Sequence, residues 1–167
     1  MNTTLKSLAF FLGILCFHAN LVGASNPHQF IDSQAQEMVS IIRNNQELYA
    51  LDQELFKEKI NFVFEPMVDF RRVGASVMGK KYYLAASKPQ RLKFIESFKT
   101  SLLDTYSSTL AQWGDQEIVT IFPEAYEFSR TEDVQQNLIT SSNIYPITYK
   151  VRKDSNGNWL IINIIVN

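Results

Sequence analysis

The hydrophobic pattern of this 167-residue chain changes its period once, near Gly114. Before Gly114, apolar residues recur every three or four positions, which predicts α-helices with one face turned towards a core. After Gly114, apolar and polar residues alternate, which predicts β-strands. Helices followed by strands predict an α+β fold, in which the N-terminal helices pack on one face of a C-terminal antiparallel sheet.

The first part of the helical region predicts two helices. One extends from about Pro27 to Asn44, and the segment NNQELYALD then interrupts the pattern. A second helix begins at Asp52, a good N-cap. Its segment INFVFEPMVDF is apolar around most of the helix circumference. A helix of this kind must be covered on all sides, so the segment predicts more internal apolar surface than an ordinary core of this size needs.

Two further helices complete the helical region. Asp69 is an N-cap for a short third helix, which Gly79 is expected to end. Ser87 and Gln90 have capping-box spacing for a long fourth helix that reaches about Trp113. The fourth helix carries one apolar stripe with a four-residue spacing, formed by Phe94, Phe98, Leu102, Tyr106 and Leu110.

Four segments of the C-terminal region predict strands. The first two are QEIVTIF and DVQQNLITSS, and the third is IYPITYKVRK. In the third segment Ile147, Tyr149 and Val151 share one face, as expected of a half-buried antiparallel strand. The sequence DSNG that follows favours a hairpin turn, because Asn-Gly tolerates positive φ angles.

The fourth strand segment is apolar on both predicted faces. Trp159, Ile161 and Ile165 alternate with a second apolar set, formed by Leu160, Ile162, Ile164 and Val166. An exposed strand of this kind is prone to aggregate. We therefore expect either a partner or further chain to cover it.

Residues 1–24 have the pattern of a secretory signal peptide. Lys6 precedes the ten-residue apolar run LAFFLGILCF, which is shorter than the ~18 residues needed to span a bilayer. Cleavage is expected after Ala24, which leaves one secreted domain over residues 25–167. Cys16 is lost with the signal, so this domain has no disulfide. Loss of Lys6 leaves 15 cations against 17 anions, a formal charge of −2, which argues against nucleic acid as a partner.

The secreted domain offers few residues for catalysis or metal binding. Its single histidine, His28, is expected to be solvated near the new N-terminus, and neither zinc-ligand spacing nor a glycine-rich phosphate loop is present. Asp69, Glu124 and Glu127 leave open one enzymatic alternative, a cone-shaped α+β fold with an apolar pocket and a carboxylate base. A second alternative is an interaction module whose last strand adds to a partner's sheet.

The segment DFRRVGASVMGKKYYLAASKPQRLKFIESFKTSLLDTY resembles the MlaC family, the toluene-tolerance auxiliary proteins. The family pattern has an Asp, a Gly after an aliphatic residue, an aromatic residue, then Ser-Pro-x-Gln-Arg and a helix with Phe, Phe, Leu and Tyr. The matching residues are Asp69, Met78, Gly79, Tyr82 or Tyr83, Ser87, Pro89, Gln90, Arg91, Phe94, Phe98, Leu102, Tyr106, Gly157, Trp159 and Asn163. The family usually has Asp where this chain has Asn163.

The resemblance implies a periplasmic phospholipid carrier with no catalytic residue, no metal and no cofactor beyond the bound phospholipid. It implies that a monomer shuttles lipid between the outer and inner membranes and so maintains outer-membrane lipid asymmetry. The implied partners are an outer-membrane lipoprotein–porin complex and an inner-membrane ABC transporter with a lipid-binding ring. The residues expected to line the acyl chains are Val68, Phe70, Val73, Val77, Met78, Phe94, Phe98, Leu102, Tyr106, Ile147, Tyr149 and Ile161.

Two further expectations follow from the resemblance. Arg71, Arg72 and Arg91 are candidates for contact with phosphate or with an acidic partner surface, although a solvated role fits them equally well. The family continues beyond the last strand with a glycine-led segment, so Asn167 is expected to be a premature end that leaves the domain C-terminally truncated.

Overall fold

The computed structural model describes residues 26–124 and 127–166. The predicted signal peptide, residues 1–24, lies outside the described residues. Five helices precede four strands in the described ranges, which confirms the α+β prediction. The elements are α1 Pro27–Asn44, α2 Gln46–Leu51, α3 Gln53–Met67, α4 Phe70–Ala85, α5 Lys88–Ala111, β1 Glu117–Thr120, β2 Thr131–Ile139, β3 Ile144–Lys153 and β4 Trp159–Val166.

The helix starts follow the capping residues of the sequence. The Asp52 carboxylate accepts a hydrogen bond from the Leu55 amide at 3.0 Å and caps α3. Ser87 and Gln90 form both hydrogen bonds of a capping box at the start of α5. Each cap satisfies amide groups that have no partner inside the helix, so the boundaries are set locally.

Two details of the helical region differ from the prediction. The segment between α1 and α3 was expected to be an interruption, but it forms the short helix α2. There Tyr49 packs edge-on against the buried ring of Phe56, with ring centroids 5.5 Å apart. Gly79 does not end α4 but kinks it, with φ 74° and ψ 155°, and the helix resumes to Ala85. A side chain would be strained in that conformation, so glycine allows the kink.

The sheet is fully antiparallel and has the order β1-β2-β3-β4. Its helix-facing side carries the buried residues of the strands. The inner positions of β3 are confirmed, since Ile147 and Val151 are buried and Tyr149 is partly buried. α1 packs over β1 and β2, while α3 and α4 pack against β4. One face of the sheet is therefore covered by helices, as predicted.

The predicted alternation along β4 is wrong beyond Ile161, because a β-bulge shifts the register. Val151 pairs with Ile161, whereas the preceding residue Lys150 pairs with Asn163. Ile162 is therefore the extra residue, and the face on which each later side chain lies is reversed. Cross-strand partners share a face, so Ile164, opposite the inward Tyr149, lies on the helix-facing side. Val166, opposite Ile147, lies there too.

The outer edge of β4 is partly occupied. Val68, between α3 and α4, forms a parallel bridge with Ile161, and the Asp69 amide donates to the Ile161 carbonyl at 2.9 Å. This contact fixes the junction of α3 and α4 against the edge strand. The last residues of β4 remain exposed, with Ile164 at 42%, Ile165 at 46% and Val166 at 62%.

Ion pairs attach α5 to α3. Lys57 Nζ lies 2.7 Å from Asp104 Oδ1, and Lys99 Nζ lies 3.0 Å from Glu65 Oε1. The hydrogen bond to Asp104, helped by Glu54, raises the pKa of Lys57 to about 12. Apolar contacts also join these helices: Ile42, Phe56 and Ile60 form a buried cluster, and side chains of α5 pack against it.

The prediction that His28 is solvated is wrong. Its side chain is buried, and Nδ1 donates a hydrogen bond to the Ile121 carbonyl at 3.0 Å. The ring centroid lies 6.2 Å from that of Phe122 and 5.8 Å from that of Phe128. The start of α1 packs against the segment that connects β1 to β2, a long-range contact that local sequence does not reveal. His28 is therefore a satisfied structural residue.

Candidate functional site

The helices and the sheet meet at one apolar layer, which we call the interlayer cluster. Helices α1, α3 and α4 contribute to it from one side, and strands β2, β3 and β4 from the other. Its fully buried members are Ile31, Val63, Met67, Val68, Phe70, Val134, Val151, Trp159 and Ile161. Around them lie partly buried side chains, namely Phe30, Met38, Ile41, Phe64, Val73, Ile95, Phe98, Leu102, Phe128 and Tyr149.

The helices differ in how completely the rest of the protein covers their apolar side chains. In α3, four apolar residues are fully buried, with Phe56 at 0% exposure and Ile60 and Val63 at 2%. In α5, a helix of 24 residues, Ser107 is the one fully buried residue. The apolar side chains of α5 that reach the interlayer cluster are thus all left partly open. α4 buries only Phe70 and Gly74.

The structure brings seven of the twelve predicted lining residues to the interlayer cluster. Val68, Phe70 and Ile161 are fully buried in it, and Val73, Phe98, Leu102 and Tyr149 are packed against it and partly buried. Ile147 is also buried, at 8% exposure, on the same face of β3 as Tyr149.

The other four predicted lining residues lie further out. Phe94 is half-buried and stacks on Phe98, with ring centroids 6.2 Å apart and planes 5° from parallel. Met78 is also half-buried. Val77 and Tyr106 are exposed, at 56% and 55%. These two side chains lie at an open margin and not inside the layer.

The sequence pattern missed Ile95, which contacts the interlayer cluster together with Phe98 and Leu102. A residue advances by about 100° around an α-helix, so a strict four-residue spacing drifts by about 40° at each step. The residues of α5 that reach the cluster, Ile95, Phe98 and Leu102, follow spacings of three and then four. Another step of four leads to Tyr106, which is 55% exposed. Ile95 also approaches α4 closely: a Cβ on Gly74 would lie 2.8 Å from Ile95 Cγ1.

The helix-facing side of the sheet has its own open margin at the far end of β4. Ile164 and Val166 lie on this side beside their partners Tyr149 and Ile147, yet remain 42% and 62% exposed. Burial in this apolar environment raises the pKa of the Tyr149 phenol to about 12. The sheet thus continues the apolar surface from the interlayer cluster towards solvent.

The three predicted arginines separate into two groups. Arg71 and Arg72 line a polar cleft of about 410 Å³ at the start of α4. Arg91 is elsewhere on α5, where its guanidinium lies 4.3 Å from the centroid of the Tyr83 ring. Arg91 is therefore a packing residue in this structure.

The carboxylates of the enzymatic alternative serve other roles or lie at the surface. Asp69 caps α4 by accepting from the Arg72 amide at 2.9 Å, and its second oxygen lies 3.4 Å from Arg72 Nε. Glu124 and Glu127 are exposed. Across residues 26–124 and 127–166, no group of three or more His, Cys, Asp or Glu side chains is placed to hold a metal ion. In the same ranges, no helix combines the length and apolarity that crossing a bilayer requires.

Comparison with known proteins gives three findings. The family model described as MlaC protein matches residues 32–167. The toluene tolerance protein ttg2D of Pseudomonas putida is 29% identical over 148 residues, which cover 87% of this chain and 67% of that protein. A phospholipid-binding protein from Ralstonia solanacearum, solved in complex with a phospholipid, superimposes with a TM-score of 0.74 at 20% identity, over 84% of this chain and 77% of that one.

Proposed function

The chain belongs to the MlaC protein family, and on that premise we propose that it is a phospholipid carrier that binds one lipid and performs no catalytic step. The observation that carries this proposal is the open side of the interlayer cluster. α4 and α5 direct Val73, Phe98 and Leu102 towards the cluster but leave each partly exposed. A domain of this size normally buries its helix stripes, so the open stripe leaves room for an apolar ligand.

The physical task of a carrier explains why such a surface is useful. Transferring an apolar chain from water to an apolar environment is worth ~0.8 kcal/mol per CH₂, so about 30 methylenes of a two-chain lipid represent roughly 20–25 kcal/mol. The protein must offset most of this free energy by shielding the chains. It must also release them to a bilayer, which favours an apolar wall without strong specific anchors.

We assign the acyl chains to the space between α4, α5 and the inner face of β3 and β4. Phe98 and Leu102 line it from the helices, and Tyr149 and Ile161 from the sheet. Met78, Phe94 and the exposed Val77 and Tyr106 lie at its margin, where the chains enter. The remaining residues of the proposed lining are Val68, Phe70, Val73 and Ile147.

The family and the sequence of residues 1–24 support a proposal for the cellular setting. We propose that the mature domain works in the periplasm, where it shuttles phospholipid between the outer and inner membranes and maintains outer-membrane lipid asymmetry. Its proposed partners are an outer-membrane lipoprotein–porin complex and an inner-membrane ABC transporter with a lipid-binding ring. A monomer that contacts each partner transiently suits this role.

A vesicle-transfer assay with two matched variants tests the proposal. Val73→Trp enlarges a partly buried side chain of the proposed lipid lining, and Val119→Trp makes the same change at an exposed position of β1. The rate at which fluorescent phospholipid moves from donor to acceptor vesicles should fall at least about fivefold in V73W. V119W should stay within about twofold of the unmodified protein. Transfer by a folded V73W that matches V119W would contradict the proposed lipid site.

A further inference from the structure

A strongly cationic cleft lies outside the interlayer cluster, where the start of α4 meets the β3–β4 hairpin. It has a volume of about 410 Å³. Its cations come from three separate segments: Arg71 and Arg72 from α4, Arg130 from the residue before β2, and Arg152 and Lys153 from the end of β3. Four of the six arginines of the chain thus converge on one cleft, although the chain as a whole has a formal charge of −1.

The two acidic residues of the cleft neutralise only part of this positive charge. Asp69 caps α4 and pairs with Arg72. Asp154 accepts hydrogen bonds from the backbone amides of Asn156 and Asn158, at 2.8 and 2.9 Å, and thereby closes the hairpin turn. Five cations and two acids leave a local charge of +3.

Three of the arginines are available to a ligand. Among the described residues, Arg71, Arg130 and Arg152 form no ion pair with an acidic side chain. Guanidinium groups donate hydrogen bonds in a planar fork that matches the oxygens of a phosphate. The arrangement therefore favours an anion with several oxygens over a single point charge.

The cleft shares a wall with the proposed lipid site. Asp69 lines the cleft, while its neighbours Val68 and Phe70 are buried in the interlayer cluster. On β4, Leu160 and Ile162 line the cleft, while Ile161 between them is buried in the cluster. The cationic cleft and the proposed lipid site are therefore adjacent, separated by one layer of chain at residues 68–70 and 160–162.

From these observations we propose that the cleft binds a phosphate group, and that its source is the headgroup of a phospholipid with net negative charge. This inference rests on the proposed carrier function and adds a headgroup preference to it. One phosphodiester reduces the local charge from +3 to about +2, which still repels the ammonium group of a zwitterionic headgroup. The protein therefore selects anionic lipids over zwitterionic lipids with the same tails.

The size and shape of the cleft distinguish this proposal from a docking surface for an acidic protein. A volume of about 410 Å³ is in the range of pockets for single small ligands. A protein–protein contact instead uses about 800 Å² of each partner's surface. The cleft thus fits one headgroup.

The test uses vesicles of phosphatidylglycerol and phosphatidylethanolamine with identical tails in equal amounts. After incubation, the lipids that remain on the purified protein are extracted and counted. The unmodified protein should hold at least about fivefold more phosphatidylglycerol than phosphatidylethanolamine. In Arg130→Gln/Arg152→Gln the ratio should approach one, because phosphatidylglycerol loses the contact with the cleft that favours it. The control Lys88→Gln/Lys93→Gln removes the same charge from exposed positions of α5 and should keep the preference.

The possible outcomes distinguish a failure of the headgroup preference from a failure of the carrier function. A ratio near one in the unmodified protein, with lipid still bound, overturns the headgroup preference and leaves the carrier function intact. An unchanged ratio in R130Q/R152Q overturns it as well. If no form holds lipid, the carrier function fails, and titration of inorganic phosphate into the protein, followed by NMR, still tests the cleft. Binding of free phosphate that R130Q/R152Q abolishes then supports a phosphate site, while no binding overturns it.

Discussion

Replacing Phe98 with alanine separates a lipid-facing side chain from an ordinary core residue. Phe98 lies on α5, partly buried, with its ring against the interlayer cluster. Phe56 on α3 is 0% exposed and packs in the buried cluster that it forms with Ile42 and Ile60. Phe→Ala removes the same atoms at both positions, so the two variants differ only in what surrounds the ring.

The expected magnitudes follow from this difference in burial. Phe56→Ala should lower the free energy of unfolding by about 3–5 kcal/mol, the usual cost of deleting a fully buried phenyl ring. Phe98→Ala should cost less in lipid-free protein, because part of the ring is already exposed to water. If a bound acyl chain covers the exposed part of the ring, loss of that contact should weaken lipid binding by ~1–2 kcal/mol. That loss corresponds to roughly a five- to thirtyfold higher dissociation constant.

Urea unfolding and lipid titration, applied to the same preparations, measure the two quantities separately. F98A should show a modest loss of stability and a clear loss of lipid affinity. F56A should show a large loss of stability, while its folded fraction binds lipid as the unmodified protein does. The reasoning would be refuted if both variants bound lipid equally well, or if F56A lost more affinity than F98A.

Three further predictions concern stability. Gly79→Ala should cost about 1–3 kcal/mol in urea unfolding, because φ 74° with ψ 155° strains any side chain; a neutral effect would show that the kink is not needed. Ser87→Ala should cost about 1 kcal/mol through loss of the capping box and should reduce the protection of the first α5 amides from hydrogen exchange, whereas unchanged protection would argue against the cap. Burial raises the pKa of Tyr149 to about 12, above an unfolded value of about 10, so its contribution to stability is complete below pH 10 and is lost as the pH rises towards 12. Urea unfolding should show a fall of about 2 kcal/mol over that interval that is absent in Tyr149→Phe, and equal pH profiles for the two proteins would contradict the burial of the phenol.

The parts of the fold that local chemistry determines could be predicted from sequence. The change of period at Gly114 gave the fold class, because helix and strand periods differ whatever the tertiary context. Asp52 and Ser87 marked helix starts correctly, since an N-cap satisfies amides only two or three residues away. The DSNG segment correctly predicted the turn between β3 and β4, because the hydrogen bonds that close this turn also join residues only a few positions apart.

The errors arose where long-range packing decides the outcome. The bulge at Ile162 depends on how β4 pairs with β3, so the alternation of β4 alone could not reveal it. His28 is buried because residues between β1 and β2 pack against the start of α1. The Ile121 carbonyl, which accepts its hydrogen bond, is 93 residues away in the sequence.

The candidate site was predictable only in part. Phe98 and Leu102 follow from the apolar stripe of α5, but Ile95 does not, because a constant spacing of four loses phase with the helix. The cationic cleft brings together residues 71, 72, 130, 152 and 153, whose proximity exists only once β4 packs beside α4. No spacing in the sequence joins them, although Arg71 and Arg72 were recognisable as candidates.

Native mass spectrometry of the protein, purified without detergent, tests the central claim most directly: that the space between the helices and the sheet shelters the tails of one phospholipid. The account predicts a folded monomer carrying about one phospholipid, identified by extraction, and an increase in occupancy after incubation with vesicles. A folded protein that is empty after purification and takes up no lipid from vesicles would contradict it.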